Sequence, residues 1–524
     1  MQTNRVRIIR LLFIVLAIFC FFFLFHYLLD IQQQNAIQKE RELEEARIAL
    51  QKEKEQEEKL LMELKRERLQ RILDNRSVLE PKLTLDDTVN QELLDKYYIA
   101  VPSTLEPWTE DTLQFLKSPI GQNIKSDLLT IPEIIPNFKT LTTQERTFKA
   151  LFEYLDPLIA EDGIDVVSER YKETWQLYNR LEQILFPWIR PYWKNVFEMN
   201  KPSNRNSRGI VMCVSDDHLR HARVSIPAIR NILKSDMPIE LFYIDESDLS
   251  KENRAFFESF PNVTTINISK RINNKYTQFN GWEIKPYAIL ASSFEEVLIM
   301  DADVFMFKKP ETFFEDKGYE ATGALFFFDR TLFNDFQQGR IWLRSFLPTY
   351  SSFVEQSRWW KTTSAHEQES GIVVINKRKA LFGLLATCKM NDKNERDHVS
   401  YQHVHGDKET FWIGFEMIQS PYAFVKSVGA VIGGLGDAGA EGTVCGNLLH
   451  LDTENQPWWW NGGVFRNKNK WENRYLKFTH FAQGEDWQFE TSCIKNKDKI
   501  QELNSKEREY GKQLIELDKK NNRT

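Results

Sequence analysis

Two aspartates separated by a single residue are the part of the sequence best suited to chemistry. Asp301 and Asp303 come directly after the apolar run 297–300, at the point where a buried strand would end. Two carboxylates with this spacing on a turn can point at one cation, and a hard divalent ion prefers oxygen ligands. The pair therefore predicts a divalent-metal site with room for the oxygens of a phosphorylated substrate. The alternative is a pair of solvated turn residues.

The segments before this pair alternate between short apolar runs and stretches of helical spacing. We expect strands at 209–214, 239–244, 263–268 and 297–300, and helices at 218–233, 250–260 and 285–294. This alternation predicts an α/β fold, in which helices cover a parallel sheet and the crossovers are right-handed. Ligands of such sheets bind at the carboxyl ends of the strands, where the two aspartates stand.

The N-terminus predicts a membrane anchor. Residues 11–29 form an apolar run without a formal charge, and about 20 such residues cross a bilayer as a helix. Arg5, Arg7 and Arg10 precede the run and Asp30 follows it, so residues 1–10 would be cytosolic and the rest luminal. This is the topology of a single-pass type II protein. A cleaved signal peptide is the alternative, but its apolar core would span about 7 to 15 residues and end in small residues.

Beyond the anchor the sequence divides by composition. We expect a charged helical stem at 30–80, because residues 38–71 lack Gly and Pro and place opposite charges three or four residues apart. The stem is either a single helix or a coiled coil, which leaves an oligomer formed through it possible. We then expect a helical luminal subdomain at 81–206, a catalytic domain at 207–486 and a helical C-terminal tail at 487–524. Four tryptophans are expected in the core of the helical subdomain: Trp108, Trp175, Trp188 and Trp193.

Composition excludes some classes of partner. The chain of 524 residues is 42% hydrophobic, which is ample for a sizeable core, and its net charge of −6 argues against a nucleic-acid partner. The cysteines outside the apolar run show no CxxC spacing, so disulfides of an oxidising compartment and buried thiols both remain open. These cysteines are Cys213, Cys388, Cys445 and Cys493. Asn-x-Ser/Thr sequons compatible with luminal exposure stand at Asn75, Asn262, Asn267 and Asn522.

Six blocks in order resemble the fungal Mnn1-like mannosyltransferases of the GT-A type. The blocks cover about Arg208 to Gly463 and read GIVMCVSDDH, GWEIKPYAILASSFEEVLIMDADVF, TGALFFFDR, QESGIVVINK, GDKETFW and LLHLDTENQPWWWNGG. The third and fourth blocks look more like the α-1,3 branch than the α-1,2 branch. The resemblance implies a Rossmann-like GT-A catalytic domain, GDP-mannose as donor, Mn²⁺ as metal, mannose-terminated glycoprotein glycans as acceptors and the Golgi membrane as location.

The resemblance also implies roles for individual residues. Asp301 and Asp303 would be metal ligands, and His450 would be the third, because its spacing to the following Pro-Trp pair is similar to that in glycogenin-like transferases. Gln456 stands where those transferases often carry a lysine against the diphosphate. Lys285 is the best substitute for that lysine, although a lysine at a helix start is also compatible with a surface position.

Further candidates lie in the remaining blocks. Asp407 would contact the mannose or steady positive charge at its anomeric carbon, or it is an ordinary acid at a helix start. Glu369 would contact the acceptor hydroxyl or act as a base, and Gly371 would allow close approach of the backbone. Ser215 and Asp216 follow the first strand, where a base or ribose would bind, unless they only form a polar turn.

The family implies an α-linked donor and an α-linked product, and therefore retention of configuration. Attack from the front face and a covalent sugar intermediate both remain open. The alternatives to an α-1,3-mannosyltransferase are an α-1,2-mannosyltransferase, another Golgi GT-A transferase and a luminal glycan-binding protein without catalysis. The sequence does not choose between N-linked and O-linked acceptors.

Overall fold

The computed structural model describes residues 87–100, 108–131, 135–200, 207–437, 441–467, 474–494 and 499–522, and helical residues, with gaps, between 18 and 63. The chain divides into two compact units, residues 1–81 and 82–524. The described residues of the first unit are helical and exposed, and part of the expected stem lies among them. Much of the expected anchor, including residues 11–17, lies outside the described residues. None of the helices in the described residues has the length and apolar character needed to cross a membrane.

The second unit contains helices and strands in alternation, labelled here in chain order. Its α-helices are α1 Asp87–Lys96, α2 Glu110–Leu116, α3 Pro119–Leu128, α4 Phe138–Asp162, α5 Ile164–Arg170, α6 Lys172–Leu185, α7 Val196–Met199, α8 Leu219–Pro227, α9 Lys251–Glu258, α10 Asn274–Thr277, α11 Ile284–Ala291, α12 Lys317–Thr322, α13 Gln337–Phe346, α14 Ser352–Gln356, α15 Arg358–Lys361, α16 Leu381–Met390, α17 Lys393–Glu395, α18 Tyr401–His403, α19 Lys408–Ile418 and α20 Ser505–Asn521. Its strands are β1 Tyr97–Ala100, β2 Arg208–Cys213, β3 Ile239–Tyr243, β4 Val263–Asn267, β5 Glu296–Met300, β6 Val304–Met306, β7 Ala324–Phe328, β8 Gln368–Asn376, β9 Tyr422–Val425, β10 Ala430–Leu435, β11 Val444–Leu451, β12 Pro457–Asn461, β13 His480–Gln483, β14 Trp487–Gln488, β15 Cys493–Ile494 and β16 Ile500–Glu502.

The main sheet confirms the predicted α/β fold and corrects the predicted strand directions. Its order is β1-β9-β7-β8-β5-β2-β3-β4, and the four strands expected from the sequence, β2 to β5, run parallel. The sheet continues beyond β5 with β8, which is antiparallel, and is therefore mixed. Antiparallel pairing puts the start of β8 beside the end of β5, since Ile372 is opposite Met300. The mixed direction thus brings residues 369–371 next to the Asp301 turn.

Alternating side chains of the main sheet enter two hydrophobic cores. Val297 and Ile299 of β5 enter the first core, with residues of α4, α6, α11, α16 and α19. Leu298 and Met300 enter the second core, with residues of α8, α9 and β12. Trp188 of the expected helical subdomain is fully buried in the first core, and β1 forms one edge of the main sheet. The helical segment therefore shares its core with the sheet.

A second sheet holds the C-terminal part of the chain. Its order is β14-β15-β11-β10-β13-β16. Strand β12 pairs with both β11 and β6, and β6 comes directly after the turn that carries Asp301. A disulfide between Cys445 and Cys493 links β11 to β15, while Cys213 and Cys388 are free thiols. The boundary expected after residue 486 falls within this sheet, between β13 and β14.

Candidate active site

The turn that carries the two aspartates connects β5 to β6. The backbone N–H of Asp301 donates to the carbonyl of Gly371 on β8 at 2.9 Å, and the N–H of Val304 donates to the carbonyl of Asp301 at 3.1 Å. The carbonyl of Asp303 accepts from the N–H of Gly463 at 2.8 Å. The turn is therefore tied to both sheets, and its two carboxylates stand at the carboxyl end of β5 as predicted.

Lys285 of α11 brings two of the predicted acidic residues together. Its ammonium nitrogen lies 3.0 Å from Oδ1 of Asp301 and 3.1 Å from Oδ2 of Asp407. It also donates to the Oγ and the carbonyl of Ser370, at 3.0 and 3.2 Å. The lysine is buried, so its charge is stable there only because carboxylates and a carbonyl replace its water.

The electrostatics of this cluster are those of a site with several carboxylates. Burial raises the pKa of Asp301 to about 7; Lys285 opposes this shift, and the like charges of Asp303, Asp407 and Glu369 add to it. Burial acts to lower the pKa of Lys285, but Asp301 and Asp407 outweigh it and hold that pKa above its ordinary value. The lysine is therefore charged, and the cluster still repels further negative charge.

The donor set at the turn fits a divalent cation held by two carboxylates. Small hard cations commonly bind one or two protein carboxylates and complete their coordination with phosphate oxygens and water. The side chain of Asp301 is 30% exposed despite its pairing with Lys285, and the repulsion from neighbouring carboxylates would be relieved by a cation. In the described ranges, no three His, Cys, Asp or Glu side chains form a group that could hold a metal. The fit is thus to Asp301 and Asp303 with substrate oxygens.

Among the described residues, His450 forms no metal-holding group of three with Asp301 and Asp303. Its ring stacks on Trp459 at 3.8 Å between centroids and contacts Phe327 edge-on. It is opposite Trp459 in the pairing of β11 with β12, and Trp459 is opposite Met306, three residues beyond Asp303. This long-range register sets His450 against Trp459. Burial lowers the pKa of His450 to about 3, so the ring is neutral, and neither ring nitrogen has a hydrogen-bond partner among the described residues.

A different histidine lies near Asp303. A Cβ atom added at Gly463 would be 3.0 Å from the ring of His221 and 3.9 Å from the Cβ of Asp303. His221 belongs to α8, which follows the first parallel strand. The sequence around His221 shows only the spacing of a helix, and this did not indicate that the residue lies near Asp303.

Glu369 and Gly371 lie beside the aspartate turn. Oε1 of Glu369 accepts from the N–H of Gly371 at 2.7 Å and from Nδ2 of Asn461 at 3.0 Å. A Cβ at Gly371 would be 3.0 Å from the Asn461 amide and 3.1 Å from both Glu369 and Trp459. The absence of a side chain at Gly371 therefore permits the contact between Glu369 and Asn461. The sequence pointed to Glu369 and Gly371 but not to Asn461, which ends the aromatic run of the last block.

A second charged cluster follows β7, and the sequence missed it. Asp329 is fully buried and accepts from Nζ of Lys408 at 2.7 Å, while Nε of Arg330 lies 3.1 Å from its other oxygen. Although burial acts to raise it, Lys408 and Arg330 hold the pKa of Asp329 well below its usual range. Glu369 acts electrostatically on both cations and so connects the two clusters. Asp329 and Arg330 are the last two residues of the third block, TGALFFFDR, and this position was the signal in the sequence that could have indicated the cluster.

Ser215 and Asp216 make local contacts at the end of β2. The carboxylate of Asp216 accepts from Nδ2 of Asn253 at 2.8 Å and from the N–H of Ser250 at 3.2 Å, at the start of α9. Oγ of Ser215 lies 3.0 Å from Nδ1 of His218. Asp216 therefore stabilises a helix start, and neither residue contacts Asp301 or Lys285 through these bonds.

The sequons differ in exposure. Asn262 is exposed, and its Nδ2 donates to the carbonyl of Asp236 at 3.1 Å. Asn267 is half-buried at the end of β4. Asn75 lies outside the described residues.

The chain resembles known mannosyltransferases in sequence. Residues 207–452 match the family described as "Mannosyltransferase putative". The putative alpha-1,3-mannosyltransferase MNN14 of Candida albicans is 31% identical over 268 residues, which are 46% of this chain and 38% of that protein. The alpha-1,3-mannosyltransferase MNT2 of Saccharomyces cerevisiae is 26% identical over 324 residues, 54% of this chain and 56% of that protein. The chain thus spans less than two thirds of the length of these relatives.

Solved structures of mannosyltransferases match this chain only with low scores. The mannosyltransferase Ktr4p from S. cerevisiae is 10% identical with a TM-score of 0.29, over 42% of this chain and 66% of that chain. Core-mannan synthase A from Aspergillus fumigatus, in a Mn/GDP form, is 13% identical with a TM-score of 0.28, over 41% of this chain and 70% of that chain. Scores this low say nothing of the site.

Proposed function

We propose that this chain, which resembles Mnn1-like mannosyltransferases in sequence, transfers mannose from GDP-mannose to the terminal mannose of N- or O-linked glycoprotein glycans. The reaction would be α-1,3-specific, metal-dependent and retaining, on a catalytic domain of the GT-A type. The linkage is the one named for the curated relatives. The observation that carries the proposal is the ion pairing of Lys285 with Asp301 and Asp407 at the carboxyl end of a parallel strand.

Asp301 and Asp303 are the residues that would hold Mn²⁺. When bound, the metal would act as a Lewis acid that offsets negative charge on the leaving diphosphate. For Lys285 we propose a role other than the binding of the diphosphate that the sequence suggested. An ammonium has three N–H donors, and acceptors of Asp301, Asp407 and Ser370 already lie within 3.2 Å of it. We assign to Lys285 the role of holding the two carboxylates in place.

We assign the sugar-facing roles to Asp407 and Glu369. Asp407 precedes α19 and is held by Lys285, so its negative charge is fixed before the substrate arrives. A preorganised carboxylate stabilises the positive charge that develops at the anomeric carbon as the glycosidic bond breaks. Glu369 is fixed by Gly371 and Asn461, and we assign it to the acceptor hydroxyl, on the side that faces Arg330 and Lys408.

We further propose that the chain is a single-pass type II protein of the Golgi membrane, anchored by residues 11–29 with its catalytic domain in the lumen. The basic residues before the apolar run support this orientation. The Cys445–Cys493 disulfide supports an oxidising compartment. Glycoprotein mannans would be the acceptors there, and an oligomer formed through the stem stays a proposal.

Transfer of mannose by the purified full-length chain tests this function. We expect product from GDP-mannose and α-mannobiose with Mn²⁺ present, loss of product on chelation or in Asp303→Ala, and an α-1,3 linkage by NMR. An α-1,2 linkage would correct the specificity. Well-folded protein that transfers no sugar from GDP-mannose or other sugar nucleotides would contradict the enzymatic function.

A further inference from the structure

Five rings form a continuous row on the surface beside the two charged clusters. In order they are Trp282, His405, His366, Phe333 and Phe489, and the distances between successive ring centroids are 5.3, 6.4, 5.7 and 5.2 Å. Trp282 is 55% exposed, Phe333 52% and Phe489 61%. Single exposed apolar residues are ordinary, but a row of rings with three exposed members beside two charged clusters is typical of a ligand-binding surface.

The row begins beside the cluster formed by Lys285, Asp301 and Asp407. Gly406 has a φ of +71°, and a Cβ added there would be 2.8 Å from the ring of Trp282. Trp282 therefore covers the backbone directly before Asp407. The carbonyl of Trp282 also accepts from the N–H of Lys285 at 3.1 Å, so the backbone at Trp282 is tied to that of Lys285.

The middle of the row lies beside the second charged cluster. His366 and His405 both interact electrostatically with Asp329 and Lys408. Burial lowers the pKa of His366 to about 4, so this ring is neutral near pH 6 to 7, and burial also lowers the pKa of His405. Nδ1 of His366 is buried and has no hydrogen-bond partner among the described residues. Neutral imidazoles offer both a donor and an acceptor to hydroxyl groups.

The far end of the row is built by the C-terminal part of the chain. Phe489 follows β14, whose Trp487 ring lies 5.7 Å from the guanidinium of Arg330. The indole N–H of Trp487 donates to the carbonyl of Gly429 at 3.0 Å. The far end is thus fixed to the sheets and to the cluster after β7, and five separate chain segments contribute to the row.

We infer that this row is the acceptor-binding surface and that it binds an oligosaccharide of several mannose residues. The inference rests on the proposed function and deepens it. A pyranose ring has an apolar C–H face that packs on an aromatic ring and a rim of hydroxyls that bonds to imidazole nitrogens. The row is longer than one sugar ring, because its five centroids are each 5.2 to 6.4 Å from the next. The reacting mannose lies near Trp282, and preceding sugars extend toward Phe489.

The dependence of KM on acceptor length in the full-length chain tests the inference. We expect the wild-type KM for an α-linked mannohexaose to be about 5-fold below that for mannobiose, since a ring contact is worth about 1 kcal/mol. Phe489→Ala should bring the two KM values together and leave the KM for GDP-mannose unaltered. Phe489 makes no hydrogen bond through its side chain, so its truncation does not leave a buried polar group unpaired.

Tyr276→Ala is the matched control. Tyr276 is also an exposed aromatic residue, at 42%, but α10 packs against residues 187–189, none of which belongs to the row. It should keep the wild-type ratio of the two KM values. Saturation-transfer NMR measures the binding of mannohexaose in the absence of donor. This measurement tests the inference separately from the proposed function, because it requires no transfer of sugar. Binding lost in Phe489→Ala supports the row even if the donor is not GDP-mannose.

The inference would be overturned by equal KM values for the two acceptors in the wild type. It would also be overturned if Phe489→Ala and Phe333→Ala both kept the wild-type preference for mannohexaose. A raised KM for GDP-mannose in Trp282→Ala, with acceptor KM unchanged, would reassign the near end of the row to the donor.

Discussion

The ammonium of Lys285 lies 3.0 Å from a carboxylate oxygen of Asp301. This contact joins the first turn of α11 to the end of β5, and the same ammonium reaches Asp407 at the start of α19. One buried cation therefore sets the relative positions of a metal-binding carboxylate and a sugar-facing carboxylate. The proposed chemistry depends on this arrangement more than on any single ligand.

Lys285→Met should remove both stability and activity. It leaves Asp301 and Asp407 without their buried partner, and breaking a buried pair in this way costs about 3 kcal/mol. Urea unfolding measures the loss, and transfer assays under folding conditions measure the fall in kcat. Lys270→Met is the control. Lys270 is 74% exposed, and its ion pair with Glu246 is long, at 3.8 Å, so the free energy of unfolding of this variant should differ from that of the wild type by less than about 0.5 kcal/mol. Equal effects of the two substitutions would contradict this role.

Gly371→Ala should disturb Glu369 without abolishing folding. The added Cβ would lie 3.0 to 3.1 Å from Glu369, Asn461 and Trp459, and such crowding costs about 1 to 3 kcal/mol. We expect the acceptor-dependent kcat to fall at least about 10-fold. Gly281→Ala is the matched control, since the nearest atom to its Cβ is 3.4 Å away, on Glu283. Wild-type kcat in Gly371→Ala would show that the position of Glu369 is unimportant.

His450→Phe should leave metal binding intact. The ring stacks on Trp459, so a planar apolar replacement keeps its packing, and among the described residues no group of three that could hold a metal includes it. We expect the Mn²⁺ affinity, measured by electron paramagnetic resonance in the presence of GDP, to change less than about 2-fold, whereas Asp303→Ala should lower it by at least about 10-fold. A similar loss in both variants would restore His450 as the third ligand that the sequence suggested.

Glu145 should make stability depend on pH. Burial raises the pKa of this carboxyl, on α4, to about 8, and neither oxygen has a hydrogen-bond partner among the described residues. Its ordinary pKa is 4.5, so between pH 4.5 and 8 the folded state binds a proton that the unfolded state has released. The free energy of unfolding therefore falls as pH rises through this window, by about 2 kcal/mol between pH 5.5 and 7.5.

Glu145→Gln keeps the neutral shape and should flatten this dependence. Chemical unfolding of both proteins at several pH values between 5.5 and 7.5 provides the comparison, because other titrating groups are common to the two. Parallel pH profiles would show that Glu145 does not retain its proton in the folded state.

The local pattern of the sequence predicted the first half of the main sheet. The apolar runs that became β2 to β5 are separated by segments of helical spacing, so both their existence and their parallel direction follow from short-range order. The turn of Asp301 and Asp303 follows directly from the end of such a run. These features need no knowledge of contacts between distant segments.

The rest of the site depends on pairing between distant segments. The antiparallel entry of β8 places Glu369 beside Asp301, and the register of β11 on β12 sets His450 against Trp459. Neither register is encoded by local periodicity, because a shift of pairing leaves the pattern of apolar residues unchanged within each strand. The partners of Lys285 lie 16 and 122 positions along the chain, at Asp301 and Asp407, and only the tertiary fold brings the three residues together.

Mannosyl transfer by Asp407→Asn tests the central claim most directly. The substitution keeps the shape of Asp407 but removes the charge that we assign to the anomeric carbon. With GDP-mannose, Mn²⁺ and mannobiose, we expect kcat of the full-length chain to fall about 100-fold or more while GDP still binds. Asp397→Asn, which changes an aspartate whose side chain is 39% exposed, should retain wild-type kcat. A kcat of Asp407→Asn equal to that of Asp397→Asn would contradict the assignment of this cluster as the catalytic centre.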